Sequence, residues 1–570
     1  MTSAADLSIV HGIPLEQEPG LGALSIPGYL REVTARHAGR EALVMHHEDG
    51  TVERWSYDAL WQRSVEVAKA LVASGVERGT RVGILMTNRP EYLSAVFGTA
   101  LAGGVSVGLS TFSTAPELEY LVGVSGIAVL LFDRQVLKKD FATMLAEIEP
   151  RVATDAAGQL RSAKFPALRH LVWLECVTAE DGASGAPPGA FESWEAFRAR
   201  GRDVADATVD ARAAAVSPTD DGGLFFSSGT TSLPKGILHA QQAFAIQWWR
   251  WPRVMAVKGN VRAWTGNGFF WSGNITMVWG VALSTGGSVV LQPYFEPEGA
   301  LHLMEVERVN FLNGRPHQWA RLQAAQRWAS ADLSSLRYIT NAALMQTHPT
   351  VKTDWRLPMA FGTTETMTIC TAFTAQTSAE EYAGSAGAPL PGNTLKIVDP
   401  HTGAVLPRGQ RGEMCIKGPT LMQGYIGKTE GEVLDAEGYY HTGDGGYVDA
   451  AGRLYWEGRL TEIIKTGGAN VSPLEIDAIL ALVPGVRRAQ TVGVPHDTLG
   501  EMVVSCLVPQ EGATLDEAAV RNVLKERLAS FKVPRRVLVL REDEMPVTGN
   551  GKVKANELRT LAAQRIGSTA

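Results

Sequence analysis

Residues 224–236 read Leu224-Phe225-Phe226-Ser227-Ser228-Gly229-Thr230-Thr231-Ser232-Leu233-Pro234-Lys235-Gly236. An apolar run suited to a buried strand leads into a loop of hydroxyls and glycine that carries a single lysine. Backbone N–H groups, several hydroxyls and one ammonium placed together make a cradle for phosphate groups. The pattern is not a Walker A loop, whose lysine is followed by Ser or Thr at the start of a helix; here Gly236 follows Lys235.

Outward from this stretch, strand and helix signals alternate. EALVMHH and TVERWSY flank Glu48-Asp49-Gly50 and predict a β-hairpin. His46 and His47 are neighbours on its first strand, point to opposite faces and cannot share a metal there. Tyr57–Ser74 reads as a helix, Arg81–Met86 as a strand, Arg89–Ala102 as an apolar helix and Val105–Leu109 as a strand. Such alternation predicts a parallel α/β sheet. Trp248, Trp249 and Trp251 follow the hydroxyl-rich loop on an expected helix, where core packing is the default for aromatic side chains. Residues 176–220, rich in Ala, Gly, Pro and Asp, read as a surface connector. Beyond a break at Gly458–Leu460, Ser472-Pro473-Leu474-Glu475 and Thr514-Leu515-Asp516-Glu517 read as capping boxes. RRAQTVGVP, MVVSCLVPQ and RRVLVLRE read as strands. The expected organisation is a large α/β domain over residues 1–458 and a smaller α+β domain over 459–570.

A chain of 570 residues exceeds one compact domain. Hydrophobic residues make up 45% and charged residues 20%, which excludes wholesale disorder and collagen-like repeats. The 53 basic and 60 acidic residues leave a net charge of −7, so no global positive field draws nucleic acid or acidic lipid. An anionic ligand needs a local site. Cys176, Cys370, Cys415 and Cys506 lie far apart without CxxC spacing, which argues against a zinc ribbon or a disulfide framework. They read as small buried hydrophobes in a reducing, cytoplasmic compartment. The N-terminal MTSAADLSIVHGIPLEQEPG has acidic residues and no apolar centre, unlike a signal peptide. No stretch reaches the ~18 apolar residues of a membrane span; Val278–Val290 carries Trp279, Gly280, Gly286 and Gly287.

Four further motifs follow the loop in order. They are Phe361-Gly362-Thr363-Thr364-Glu365-Thr366; Tyr440-His441-Thr442-Gly443-Asp444; Glu457-Gly458-Arg459 through Lys465-Thr466-Gly467-Gly468; and Pro546-Val547-Thr548-Gly549-Asn550-Gly551-Lys552. Together with the 227–236 loop they resemble the adenylate-forming superfamily: acyl- and aryl-CoA ligases, firefly-type luciferases and peptide-synthetase adenylation domains. The resemblance spans residues 30–560 and implies a large N-terminal domain of α/β subdomains with a smaller, mobile C-terminal lid.

It also implies a role for each motif. Thr230, Thr231 and Lys235 would hold the β- and γ-phosphates of ATP. Thr364 would bond the α-phosphate, and Glu365 would ligate Mg²⁺, a cation suited to one or two carboxylate oxygens. Phe361, where relatives usually carry Tyr, would stack on adenine, and Asp444, aided by Arg459, would accept from the ribose hydroxyls. Lys552 would bridge the attacking carboxylate and the α-phosphate, stabilising charge at phosphorus. The lid would then rotate about a hinge near Thr461, withdraw Lys552 and bring Gly468 beside a pantetheine tunnel for CoA. Relatives usually carry Asp or Lys at the hinge; Thr suffices, because a hinge only absorbs a dihedral change.

Two departures bear on the acid. Relatives often show a Phe-His-x-x-Gly stretch where this chain has Phe269-Phe270-Trp271-Ser272-Gly273, and two glycines and an alanine where it has Thr340-Asn341-Ala342-Ala343. The resemblance puts both segments at the acyl pocket, so Phe269, Phe270 and Trp271 are expected there. Aromatic walls suit an aryl, alicyclic or medium-chain acid. Between Ala263 and Val306 only Glu296, Glu298 and Glu305 are charged, which leaves no cation for a second carboxylate. In the alternative, Trp271 shortens the pocket and the enzyme is a short-chain acyl-CoA synthetase. The expected activity is ATP-dependent carboxylate–CoA ligation with Mg²⁺, no nucleic-acid partner and no membrane span, and it leaves room for a homodimer. An adenylation enzyme loading a carrier protein shares the first half-reaction, but no carrier domain lies between Lys552 and Ala570. A luciferase is a narrow exception within the family. A silent scaffold has no need of Thr364, Glu365, Asp444, Arg459 and Lys552 together.

Overall fold

A computed structural model describes residues 7–175, 187–227, 234–340, 345–460, 462, 464–466, 469–497, 499–528, 532–548 and 552–567. In its first large sheet, strands Phe191–Ser193, His170–Leu174, Val129–Asp133, Arg81–Leu85, Val105–Gly108 and Asp221–Phe226 run parallel, side by side in that order. Antiparallel strands Gly236–Ala240 and Gly424–Tyr425 extend that edge. In the second sheet Tyr338–Ile339, Phe311–Asn313, Arg262–Thr265, Ser288–Leu291 and Glu41–His46 are parallel, and Val52–Ser56 closes the expected hairpin. Strands covered on both faces read as continuous apolar runs such as Val129-Leu130-Leu131-Phe132.

Helices Tyr57–Ala73, Pro90–Leu101, Gln241–Val254 and Ser272–Leu283 share one core with residues of both sheets. Trp248, Trp249 and Trp251 are buried in it, as expected. Trp248 stacks on Trp279 with ring centroids 6.1 Å apart. Gly280 permits this approach, since a Cβ there would lie 3.0 Å from Trp248 Cα.

A third, antiparallel sheet orders Ile9–His11, Thr394–Val398, Gly412–Lys417, Tyr440–Val448 and Leu454–Arg459. A fourth combines Ala469–Val471, Ile464–Thr466, Gly500–Pro509 and Val486–His496, with Arg536–Val539 parallel to Gly500–Pro509. Helices Pro473–Leu480 and Glu517–Lys525 contribute to one small core against it, and Ala555–Gly567 to another. The strands expected in this region all form.

Two local expectations fail. The described part of the 176–220 connector adds strand Phe191–Ser193 and helices Trp194–Arg200 and Asp206–Ala214, with Trp194 and Phe197 buried. Two aromatic anchors outweigh the Ala-, Gly- and Pro-rich composition around them. Neither capping box forms. Ser472 stands at the N-cap, but its hydroxyl donates to the Glu457 carbonyl at 2.6 Å. The other helix starts at Glu517, where the Asp516 carboxylate accepts from the Ala519 N–H at 2.8 Å. Cys370, Cys415 and Cys506 are buried, as expected, and Cys176 lies outside the described residues. Among the described residues no helix is long and apolar enough to cross a membrane.

Candidate active site

Ligands of open α/β sheets bind beyond the carboxyl ends of the strands. Here strand Asp221–Phe226 passes into the hydroxyl-rich loop, and the Ser227 N–H donates to the Lys235 carbonyl at 3.0 Å, closing its base. Thr230 and Thr231 lie outside the described residues. Lys235 is exposed, with Nζ 5.0 Å from the centroid of the Tyr425 ring.

Strand Phe361–Thr363 returns as Thr368–Ala372 through a turn in which Met367 and Thr368 have φ of 49° and 80°. Such angles strain a non-glycine residue and persist only where surrounding contacts hold them. Gln247 Nε2 supplies two, donating to the Met367 carbonyl at 2.7 Å and the Ile369 carbonyl at 2.9 Å. His239 Nε2 donates to the Thr364 carbonyl at 2.8 Å. Burial pulls the His239 pKa down to about 4, so the ring is neutral and spends its one N–H on Thr364.

Glu365 is held at both ends. The Met422 N–H donates to its carbonyl at 2.7 Å, and the Tyr425 hydroxyl donates to Oε1 at 2.8 Å. The hydroxyls of Tyr425 and Tyr440 are 3.1 Å apart. Burial, then the Glu365 charge, pushes both phenols up, so they stay protonated donors. Oε2 of Glu365 has no hydrogen-bond partner among the described residues.

Tyr440 opens the strand that carries Asp444. Asp444 pairs in register with Arg459, whose Nε lies 3.3 Å from Oδ1; Trp456 Nε1 donates to the same oxygen at 3.3 Å. The Asp444 N–H donates to Thr442 Oγ1 at 3.0 Å, and Arg459 donates to the Thr442 carbonyl at 2.5 Å. Burial raises the Asp444 pKa from its ordinary value, with Arg459 pulling the other way. Gly443, at φ 70°, lies in the bulge of that strand just before it. Phe361 is buried with its ring 6.0 Å from that of Trp456, the donor to Asp444.

Of the expected acyl-pocket residues, Phe269 turns away. It packs edge-on to Tyr92 and Trp279 at 5.5 and 5.3 Å and belongs to the core. Phe270 abuts the end of strand Val105–Gly108, where a Cβ on Gly108 would come within 3.3 Å of its Cα. Its ring meets exposed Phe112 edge-on at 5.8 Å and half-buried Trp271 at 5.4 Å. The three acids of the segment serve the fold: Glu296 caps a helix, Glu298 accepts from the Gln326 and Arg327 N–H groups, and Glu305 pairs with Arg327.

Lys552 belongs to the chain beyond strand Arg536–Val539. It lies beside the Val547–Val553 bridge, exchanging hydrogen bonds with Thr548. Its side chain is exposed and its ammonium has no partner among the described residues. Gly468 and Thr461 lie outside the described residues, as do Asn341, Ala342 and Ala343. The structure thus groups Lys235 and Glu365 around Tyr425, and Asp444 with Arg459 on the strand pair that follows Tyr440. His239, Gln247, Tyr425 and Trp456, which support these groups, carry no motif-like signal of their own.

The model of the AMP-binding enzyme family matches residues 30–426, and that of the AMP-binding enzyme C-terminal domain matches 475–552. The indoleacetate–CoA ligase of Aromatoleum aromaticum is 32% identical over 550 residues, 94% of this chain and 98% of the relative. The 3-(7a-methyl-1,5-dioxo-octahydro-1H-inden-4-yl)propanoyl:CoA ligase of Mycobacterium tuberculosis is 34% identical over 502 residues, 87% of this chain and 91% of the relative. The fold matches that of ATP-bound MatB from Rhodopseudomonas palustris with a TM-score of 0.70 at 24% identity, over 95% of this chain and 99% of the other. The chain belongs to the AMP-binding enzyme family, in the acyl- and aryl-CoA ligase branch of the adenylate-forming superfamily.

Proposed function

We propose that this protein is an ATP-dependent carboxylate–CoA ligase that carries a bulky apolar acid, aryl, alicyclic or medium-chain, through an acyl-AMP to its CoA thioester. The observation that carries the reading is the hydrogen-bonded run from Glu365 through Tyr425 to Tyr440, which begins the strand bearing Asp444. It links Glu365, read as the phosphate-side carboxylate, to the strand of Asp444, read as the ribose-side one, and the Tyr425 ring at its middle lies 5.0 Å from Lys235 Nζ.

The chemistry follows. A carboxylate is a poor electrophile, so its oxygen attacks the α-phosphorus of ATP, the bond to pyrophosphate breaks, and a mixed anhydride forms. Lys235, with Thr230 and Thr231, holds the outer phosphates; Thr364 bonds the α-phosphate; Asp444 and Arg459 hold the ribose beside Phe361 and Trp456. Oε2 of Glu365, a hard oxygen with no competing donor among the described residues, fits Mg²⁺. That ion, when bound, would neutralise phosphate charge. Lys552 enters from a C-terminal domain, residues 459–570, that turns about a hinge near Thr461. In the second step the CoA thiol loses its proton and attacks the acyl carbon, AMP leaves, and Gly468 keeps the pantetheine path open.

Phe270 and Trp271 give the acid an aromatic wall with no cation in the 263–306 segment. The two relatives, named for indoleacetate and for a propanoyl group bearing a fused alicyclic ring, support a ring-bearing acid. The test is ATP–pyrophosphate exchange and AMP release with a panel of acids. Acid-dependent exchange and CoA-dependent AMP release are expected. Exchange without CoA-dependent release would move the enzyme to the carrier-loading class, and absence of both would remove the adenylating role.

A further inference from the structure

Beside the strand bulge before Asp444 lies a cluster that the reaction does not use. Glu413 and Cys415 alternate on strand Gly412–Lys417 and so share one face, and Cys415 pairs in register with His441 on the next strand. His441 Nδ1 is 2.9 Å from Glu413 Oε2 and 3.4 Å from Cys415 Sγ, and the three atoms lie within 4.8 Å of one another. Tetrahedral Zn²⁺, with nitrogen and oxygen at ~2.0–2.2 Å and sulfur at ~2.3 Å, sets its ligand atoms roughly 3.3–3.6 Å apart. The Nδ1–Sγ distance of 3.4 Å already fits that spacing, and Nδ1–Oε2 at 2.9 Å would open slightly as a cation entered between them.

A second observation concerns the outer partners. Metal-bound imidazoles usually present their other nitrogen to a carboxylate. His441 Nε2 lies 3.5 Å from Asp435 Oδ2, and Lys396 holds that carboxylate at 2.8 Å. Glu413 Oε1 accepts from the Gly443 N–H at 3.1 Å, which orients Oε2 toward His441. Cys415 is fully buried while the His441 side chain is 39% exposed, so a cation can arrive from the imidazole side and keep a water in its fourth position. We propose that Glu413, Cys415 and His441 form a Zn²⁺-binding site, separate from the carboxylate of Glu365. On binding, the Cys415 S–H bond breaks, its proton passes to solvent, and the sulfur bonds the cation. One sulfur, one nitrogen and one oxygen suit Zn²⁺ and not Mg²⁺, which takes six oxygens.

The test uses the full chain freed of metal with a chelator and titrated with Co²⁺. One equivalent should raise a near-ultraviolet thiolate-to-cobalt band and tetrahedral visible absorption, both displaced by Zn²⁺. Cys415→Ser should abolish the near-ultraviolet band, and Asp435→Asn should keep it while weakening Co²⁺ affinity at least about tenfold. His441→Ala, at a half-exposed position, serves as a second variant should Cys415→Ser fail to fold. Glu365→Gln should leave the band intact. Absence of the band in the folded wild type overturns the proposal and leaves a shared imidazole hydrogen bond. So does a band that survives both Cys415→Ser and His441→Ala.

Discussion

The turn at Glu365 and the hairpin at Lys552 are built on opposite plans. Glu365 is held through its carbonyl and one carboxylate oxygen, and its turn is supported from beneath by buried His239 and Gln247. Lys552 shares only backbone and hydroxyl contacts with Thr548, and its ammonium is exposed. Groups that must meet ATP in the same place throughout belong on a rigid frame, because a small misplacement costs rate steeply. A group needed in one half-reaction alone is better carried on a part that can leave. The sharpest way to break this comparison is Lys552→Ala. Removing one transition-state donor costs about 10²–10³-fold, so acyl-AMP formation should fall by that factor. Thioester formation from supplied acyl-AMP should stay near wild type. Equal losses in both half-reactions of a folded protein would place Lys552 in the permanent frame.

Gly468→Leu sharpens the same comparison from the other side. In the proposed role beside the CoA path, a bulky side chain there would cost about 1–3 kcal/mol of overpacking once CoA is bound, so thioester formation should slow on the order of 10–100-fold while pyrophosphate exchange persists. Unchanged CoA turnover would reduce Gly468 to an ordinary turn glycine. The pair of variants therefore separates the two half-reactions.

Contiguity decides what could be seen in advance. Thr364, Glu365, Asp444, Arg459 and Lys552 sit in short strings whose order carries the resemblance, and the α/β alternation around strands Arg81–Leu85 and Val105–Gly108 follows from apolar periodicity. The supports escape notice because they act across the chain: His239 bonds a residue 125 positions away, and Gln247 one 120 positions away. Neither residue type at either place departs from ordinary helix or strand usage. Phe269 misleads for a related reason. Adjacent aromatic residues cannot all face one side, and the close approach at Gly108 presents Phe270 at the strand end while Phe269 joins Tyr92 and Trp279. Ser472 shows the same limit at a helix start, where a tertiary acceptor, the Glu457 carbonyl, takes the hydroxyl that local pattern assigns to the cap.

The rigid frame also makes a pH statement. Burial raises the Asp444 pKa, so protonation begins at a higher pH than for a solvated aspartate. In the proposed role the ionised form is the one that accepts from two ribose hydroxyls. Affinity for ATP should therefore be full at high pH and be lost as pH falls through the raised value, seen as a rise in KM for ATP. Asp444→Asn should raise KM by about 10-fold, the scale of one charge-assisted hydrogen bond, and flatten the pH dependence. A variant that keeps the wild-type pH profile would assign the titration to another group. For stability the sign is opposite, because the buried carboxyl is favoured in its neutral form and folding weakens as pH rises through the same value.

The smallest expected effect lies at the proposed acyl wall. Phe270 and Trp271 are 5.4 Å apart, and Trp271 sits at the N-cap of helix Ser272–Leu283, so its backbone is anchored while the ring is half-buried. An offset ring contact adds about 0.5–1.5 kcal/mol beyond area burial. Trp271→Ala should then lower kcat/KM for benzoate and arylacetates by roughly two- to tenfold. Acetate, which reaches no ring, should change little. The competing geometry has the Trp271 ring cap a short pocket. Its signature is the reverse: wild type prefers acetate or propionate, and Trp271→Ala gains activity on hexanoate and cyclohexanecarboxylate. Measuring kcat/KM for these acids with both proteins separates the two, since one ring cannot both supply a favourable wall and exclude the acids that would touch it.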